Sequence, residues 1–307
     1  MSCDVTSSSS GQDETVGQSK SWWGNRVLII ITGASRGFGK AIAVKLSTRF
    51  HQYHNFTPIQ QPQLSSSSSS SSSLLSSSTS PSSAKVSFLL LSRVTTNLAQ
   101  VTGELQRTGP GIANIQPVPG QLNDYDNLAA LDFIMEHERQ DYDQVILVHN
   151  AGTLNDPDQL VDSYTPRAIS ELNEYARVNF SSAVIITSSF LRSFRNCPKR
   201  NIINITSLAA IQPMKGLALY GSMKAARDQY FKSVASEDPA TRVLSYAPGP
   251  LKTDMAMMLA NRGHLTDFFQ NQDNLLDPED SAERMIQILE NDNYDNGAHI
   301  DYFDPLP

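Results

Sequence analysis

Only two cysteines, Cys3 and Cys197, occur in the 307 residues. So sparse a pair makes neither a disulfide framework nor a metal-ligand pattern, and it suits a reducing compartment. No metal site is expected. Long apolar runs are missing as well. Nothing approaches the roughly 18 to 20 residues that a membrane-spanning helix needs, so no membrane partner is expected. Positive charge is in short supply: 24 Lys and Arg stand against 31 Asp and Glu, a net charge of −7. The basic residues form no cluster, which argues against a nucleic-acid partner. The N-terminus has no basic segment followed by an apolar one, so secretion is not expected.

Two stretches lack the apolar content that folding needs. Residues 1–24 are polar and serine-rich and read as a disordered tail, with Trp22 and Trp23 capping the fold where it begins. Of the nineteen residues Ser65 to Ser83, fifteen are serine, nine of them consecutive. This tract, with its Gln- and Pro-rich approach, reads as a disordered insertion at about 57–83, tolerable because loop-closure entropy grows only logarithmically. It reads as a passive spacer. Without tail and insertion about 255 residues remain, one domain of ordinary size within 25–305.

What is present alternates strand and helix. Arg26 to Thr32 (RVLIIIT) is a continuous β-branched and aliphatic run, suited to a strand buried on both faces. A glycine turn and a helix, Lys40 to Phe50, follow. Further strands are predicted at Lys85 to Leu91, Ala113 to Val118, Gln144 to His149, Arg200 to Thr206, Thr241 to Ala247 and Ala298 to Tyr302. Helices are predicted at Thr95 to Arg107, Asn123 to Gln140, Pro166 to Phe194, Leu217 to Ser236 and Pro278 to Glu290. The alternation implies an α/β fold, a Rossmann-type doubly wound parallel sheet flanked by helices in a single domain.

The first turn reads Gly33-Ala34-Ser35-Arg36-Gly37-Phe38-Gly39. Placed between a buried strand and a helix, it sets backbone N–H groups and a helix N-terminus against a pyrophosphate. The second strand ends at Ser92-Arg93, where an NAD site would favour an acidic residue. Arg36 and Arg93 suit a 2′-phosphate instead, so the expected cofactor is NADP(H). Asn150-Ala151-Gly152, after the fourth strand, is small enough for backbone to approach the adenine ribose.

Ser207 ends the fifth strand, and Tyr220 and Lys224 follow on a predicted helix. Their i, i+4 spacing puts both on one helix face. A Lys ammonium beside the phenol would lower its pKa and make Tyr220 a proton donor and acceptor near neutrality. Ser207 can hydrogen-bond a substrate carbonyl and hold it for hydride attack.

Together, Thr32 to Gly39, Asn150-Ala151-Gly152, Ser207, Tyr220 and Lys224 resemble the short-chain dehydrogenase/reductase family over nearly all of 26–303. The resemblance implies that Asn179 supports a water-linked proton relay to Lys224. It implies that the loop Leu251, Lys252, Thr253, Asp254, Met255 and Ala256 covers the nicotinamide. Longer stretches, Ser207 to Gly216, Ala218 to Tyr220, Lys224 to Asp228, Tyr246 to Leu251, Thr253 to Met255 and Gly297 to Phe303, resemble the pterin-reducing members of the family. They imply NADPH-dependent reduction of pterin side-chain carbonyls by a cytoplasmic homodimer. Ser207, Leu208, Tyr220, Gly249 and Asp301 would then meet the substrate. The Asp301 carboxylate can accept two hydrogen bonds from the guanidine-like edge of a pterin. Met255, Met257 and Met258 suit either a deformable lid or ordinary core packing.

Two positions depart from the family pattern. Gly120-Gln121 stands where an Asp commonly meets the adenine, and Gln121 can still hydrogen-bond there. His149 precedes Asn-Ala-Gly in place of an Asn, and a structural role is expected of it. Two alternatives stay open: a reductase of other small ketones, dicarbonyls or quinones, and a non-catalytic NADPH-binding regulator.

Overall fold

The computed structural model describes residues 22–54, 83–93, 95–122, 132, 134 and 141–307. Seven parallel strands form one sheet in the order β3-β2-β1-β4-β5-β6-β7. They are β1 (Arg26–Thr32), β2 (Lys85–Ser92), β3 (Ile112–Pro119), β4 (Gln144–His149), β5 (Lys199–Ile205), β6 (Thr241–Ala247) and β7 (Ala298–Asp301). Each begins and ends within about two residues of its sequence expectation.

The all-apolar strands follow from burial on both sides. In β1, Val27, Ile29 and Ile31 enter one core cluster, while Leu28 and Ile30 enter the other. Helices α1 (Gly37–Tyr53) and α8 (Pro278–Asn291) cover the first face, placing Ile42, Leu46, Phe50 and Met285 there. Helices α4 (Ser182–Ser193) and α5 (Ala218–Glu237) cover the second with Ile186, Phe190 and Phe231. All these side chains are inaccessible to solvent. Each contributes about 1.5–3 kcal/mol relative to exposure, so both faces are held firmly.

The packed chain begins at Trp22, inside the stretch expected to be a disordered tail to residue 24. Trp22 and Trp23 meet edge to face at 4.8 Å, and the Trp23 indole donates to Glu290 of α8 at 2.8 Å. The rest of the expected tail lies outside the described residues. So does the expected insertion up to residue 82, and the expected helix 123–140 except residues 132 and 134, which are helical.

The helix expected from Pro166 to Phe194 is interrupted. It opens with a 3₁₀ turn at Pro166–Ala168, runs as α3 (Ile169–Ala176), widens into a π turn at Arg177–Ser181, and continues as α4. The loop expected at Leu251 to Ala256 becomes helical at Asp254, in α6 (Asp254–Asn261), followed by α7 (Thr266–Gln270). Both are shorter than the window over which helical periodicity can be read. Helix α2 (Thr95–Gln106) matches its expectation.

The strand order reverses between β1 and β4. Chains leaving their carboxyl ends diverge and open a crevice there, the usual ligand position in open α/β sheets.

Candidate active site

The first side of the crevice is built from glycine. Gly33 and Gly37 have φ of +69° and +53°, where L side chains are strained. A Cβ on Gly39 would stand 2.3 Å from the Gly33 carbonyl oxygen and 2.5 Å from Asn150 Nδ2. Only glycine lets α1 start so close to the end of β1. At Gly37 a Cβ would meet Thr253 in ordinary contact at 3.4 Å, and the residue is exposed at the cavity.

Asn150 ties the two diverging strands together. Its Nδ2 donates to the carbonyls of Thr32 and Gly33, both at 3.1 Å. The backbone N–H groups of Asn150 and Ala151 donate to the Thr32 hydroxyl at 3.1 and 3.0 Å. The turn thus holds a fixed position against the glycines.

Residues suited to phosphate line the same cavity. No side chain caps the N-terminus of α1, leaving the positive end of its dipole to an anion. Ser35, Arg36, Ser92, Arg93 and Lys252 all border the cavity. The Ser92 hydroxyl donates to that of Ser35 at 2.7 Å, and Arg36 pairs with Asp254 at the start of α6. Gln121, Thr253, Met255 and Ala256 also line it, whereas Ala34 and Gly39 stand behind the lining. An uncapped helix start, exposed glycine backbone and three basic side chains fit the phosphates of a nicotinamide dinucleotide.

The catalytic side is positioned by another close approach. A Cβ on Gly221 would lie 2.5 Å from the Ala209 carbonyl oxygen, so α5 packs directly on the 3₁₀ turn Leu208–Ala210. Ser207 caps that turn, accepting from Ala209 N–H at 3.2 Å. The packing brings the Ser207 hydroxyl beside the Tyr220 phenol. The Lys224 ammonium sits 5.5 Å from the Tyr220 ring centre and donates to the Ile205 carbonyl at 2.7 Å.

Asn179 is buried in the π turn, behind Gly152. Its Oδ1 accepts from Thr153 N–H at 2.9 Å, and its Nδ2 donates to the Tyr175 carbonyl at 3.0 Å. A single wide turn of this kind inside an α-helix is common at functional sites.

Burial dominates the electrostatics. It pushes the Tyr220 phenol above its ordinary value, against the Ser207 hydrogen bond and the positive charge of Arg227, which pull it down. It drives the Lys224 ammonium well below its ordinary value, aided by repulsion from Arg227 and opposed by Asp228. Arg227 thus adds a positive charge that acidifies the phenol, beside the Lys224 side chain 5.5 Å from the ring centre. Neither Arg227 nor Asp228 was singled out from the sequence. The available signal was their spacing: seven and eight residues after Tyr220, on the face that already carries Lys224.

The cavity measures about 820 Å³. Met214, Leu217, Leu265, Phe268, Phe269 and Phe303 give it a largely apolar wall, and Ser207, Leu208, Tyr220, Gly249 and Asp301 all line it. Gly249, at φ +74°, leaves room that a Cβ would close against Leu276 at 2.8 Å. The Asp301 carboxylate accepts from Phe303 N–H at 3.0 Å, which fixes its rotamer at the cavity edge. Met255 lines the cavity, but Met257 and Met258 lie exposed on α6 rather than in a core. His149 is buried, bonded to Thr187 at 2.8 Å, and has the structural place expected of it. Among the described residues no cluster of three His, Cys, Asp or Glu could hold a metal ion, and no helix is long and apolar enough to cross a membrane.

A family model described as short chain dehydrogenase matches residues 81–262, more than half of the chain. The chain belongs to that family. It is an NAD(P)(H)-dependent oxidoreductase acting on carbonyl and hydroxyl groups. Curated relatives include sepiapterin reductase of Bos taurus, 34% identical over 291 residues (91% of this chain and 95% of the relative). Sepiapterin reductase of Xenopus tropicalis is also 34% identical, over 91% of this chain and 97% of its own. More distant is benzil reductase of Bacillus subtilis, 23% identical over 86% and 93%. Among solved structures, the KRED1-Pglu enzyme superposes with a TM-score of 0.63 at 24% identity, covering 89% and 99% of the two chains. L-sorbose reductase from Gluconobacter frateurii, complexed with NADPH and L-sorbose, gives 0.65 at 18% identity, over 89% and 94%. At these identities the two structures speak for the fold.

Proposed function

We propose that this protein reduces the side-chain carbonyl of a pterin with NADPH, with Tyr220 as the proton donor. The observation that carries the reading is the single cavity lined by both Tyr220 and Asp301, a proton donor and an anchor. Relatives named sepiapterin reductase, each matched over about nine-tenths of this chain, support the same substrate class.

The nicotinamide nucleotide, when bound, supplies the hydride. Arg36 and Arg93 would hold a 2′-phosphate, which favours NADP(H) over NAD(H). Lys224 and Tyr220 would hold the nicotinamide-side ribose. The Ser207 hydroxyl donates to the substrate carbonyl and orients it. As negative charge develops on that oxygen, Tyr220 passes its phenolic proton to it. Asp301 accepts hydrogen bonds from the 2-amino and N3 edge of the pterin and so fixes the distance from anchor to reacting carbonyl. The apolar wall excludes water from the transfer. We place the enzyme in the cytoplasm, working as a homodimer.

A second reading, reduction of aromatic dicarbonyls or other small ketones, is favoured by the apolar wall and by the benzil reductase relative. One assay separates activity from inactivity: purified protein, NADPH and sepiapterin, followed by nucleotide oxidation. The unaltered protein is expected to turn over, and Tyr220→Phe to lose about 10²- to 10⁴-fold in kcat. An unaltered protein that leaves NADPH unoxidised refutes the reading. An undiminished Tyr220→Phe refutes the mechanism.

A further inference from the structure

Arg227 has the largest side chain fully buried in the described structure, 1% exposed. An isolated buried cation is costly unless paired, and packed hydrophobic side chains would fill its place more cheaply. Yet among the described residues Arg227 forms no ion pair. The neighbouring carboxylate, Asp228, is committed elsewhere: Oδ1 accepts from Asn204 Nδ2 at 2.9 Å and Oδ2 meets His299 Nδ1 at 2.7 Å. Arg227 instead donates through Nη2 to the His149 carbonyl at 2.7 Å and through Nη1 to the Ala151 carbonyl at 3.2 Å.

Those two carbonyls flank Asn150, whose amide holds Thr32 and Gly33. A continuous chain of contacts therefore runs from α5, through Arg227, to the turn after β4 and on to the glycine turn after β1. Arg227 also lies one and two helical turns from Lys224 and Tyr220 on the same face.

We propose that Arg227 is a positioning residue of the reductase site. It fastens the Asn150-Ala151-Gly152 turn to the helix that carries Tyr220 and Lys224, and it stations a second positive charge behind the Tyr220 phenol. This deepens the reading of Tyr220 as proton donor and rests on it.

The groups that face this centre are few. On α5 itself they are Tyr220, Lys224 and Asp228. Tyr175 faces Tyr220 from α3, His149 approaches from β4, and His299 on β7 engages Asp228. Burial keeps Tyr175 protonated, its phenol pushed well above the ordinary value. Burial and the Arg227 charge keep His149 neutral. Burial lowers Arg227, but a guanidinium keeps its proton throughout the accessible pH range. Its charge is thus constant while Tyr220 cycles between phenol and phenolate, which it stabilises in the second form.

Two substitutions separate the two parts. Arg227→Met removes charge and donors, whereas Arg227→Lys keeps the chain length and loses the two-carbonyl grip. Neither touches the Asp228–His299 pair. Tyr220 ionisation is followed by ultraviolet tyrosinate absorbance, each protein minus its Tyr220→Phe counterpart, so the readout needs no substrate. NADPH affinity is followed by nucleotide fluorescence. In Arg227→Met the Tyr220 midpoint is expected to rise by about one pH unit. In both variants the NADPH Kd rises about tenfold as the charged hydrogen bonds are lost. A midpoint unmoved in Arg227→Met overturns the role of the charge. An NADPH Kd unmoved in Arg227→Lys overturns the fastening, and that variant carries the test should Arg227→Met fail to fold. Failure of the protein to reduce sepiapterin would count against the pterin reading and leave both measurements valid.

Discussion

Asp301 is the residue on which the proposed substrate choice turns. Its carboxylate sits at the edge of the cavity with its rotamer set by Phe303 N–H. A pterin brings two parallel N–H donors to such a group, whereas a small diketone brings none. Asp301→Asn keeps the shape and replaces one acceptor oxygen with a donor. Hydrogen bonds to a charged acceptor contribute about 1.5–3 kcal/mol, so kcat/KM for sepiapterin should fall at least about tenfold. Reduction of an aromatic diketone should change little. Steady-state kinetics on the two substrates checks this, and equal losses on both would mean that Asp301 supports the cavity rather than the pterin. Arg227 belongs at the same scale. Sequence inspection passes over it because a charged residue on a helix ordinarily faces water. Its buried place is set by the His149 and Ala151 carbonyls, which lie more than seventy residues away in sequence.

At the scale of elements, the strands were legible because burial on both faces leaves an unbroken apolar run in each. Glycine spacing was legible because it answers a local need. Gly39 is the sharpest instance: its missing Cβ is what allows α1 to begin against the Gly33 carbonyl. In Gly39→Ala the helix must retreat from the turn. We expect about 1–3 kcal/mol of destabilisation, typical of overpacking, together with weakened NADPH binding. Urea unfolding and fluorescence titration measure the two effects, and a variant matching the parent in both would show that the turn yields without cost. Other elements were not legible, for reasons of the same kind. The π turn at Arg177–Ser181 adds one residue per turn and leaves the apolar pattern on either side intact, so the sequence shows a single helix. Helices α6 and α7 are too short to display a period, and they ride on the chain around the cavity instead of a sheet face.

For the whole molecule, the decisive geometry is which end of the sheet each feature occupies. The residues proposed for cofactor and catalysis gather at the carboxyl ends of the strands. The expected serine-rich insertion joins the described chain at the other end. His54, closing α1, bonds the Gly24 carbonyl just before β1 at 3.0 Å. Lys85, opening β2, donates to the Asn25 carbonyl at 2.7 Å. The tract lies close to Arg93 in sequence, but the full length of β2, about 25 Å at ~3.3 Å per residue, separates its attachment point from that arginine. We therefore propose that the tract is a spacer, tolerated because it is attached far from the chemistry. Deleting residues 57–83 leaves His54, Asn55, Phe56 and Ala84 between α1 and β2, a four-residue connection within the roughly two to six residues common in αβ loops. The shortened protein should keep its kcat and its NADPH affinity. Its stability should rise modestly, since each halving of a flexible loop removes about 0.6 kcal/mol of closure entropy. Kinetics, fluorescence titration and urea unfolding on the full-length and shortened proteins decide the matter. A large loss of NADPH affinity on deletion would mean that the tract reaches the opposite end of the sheet and takes part in the site.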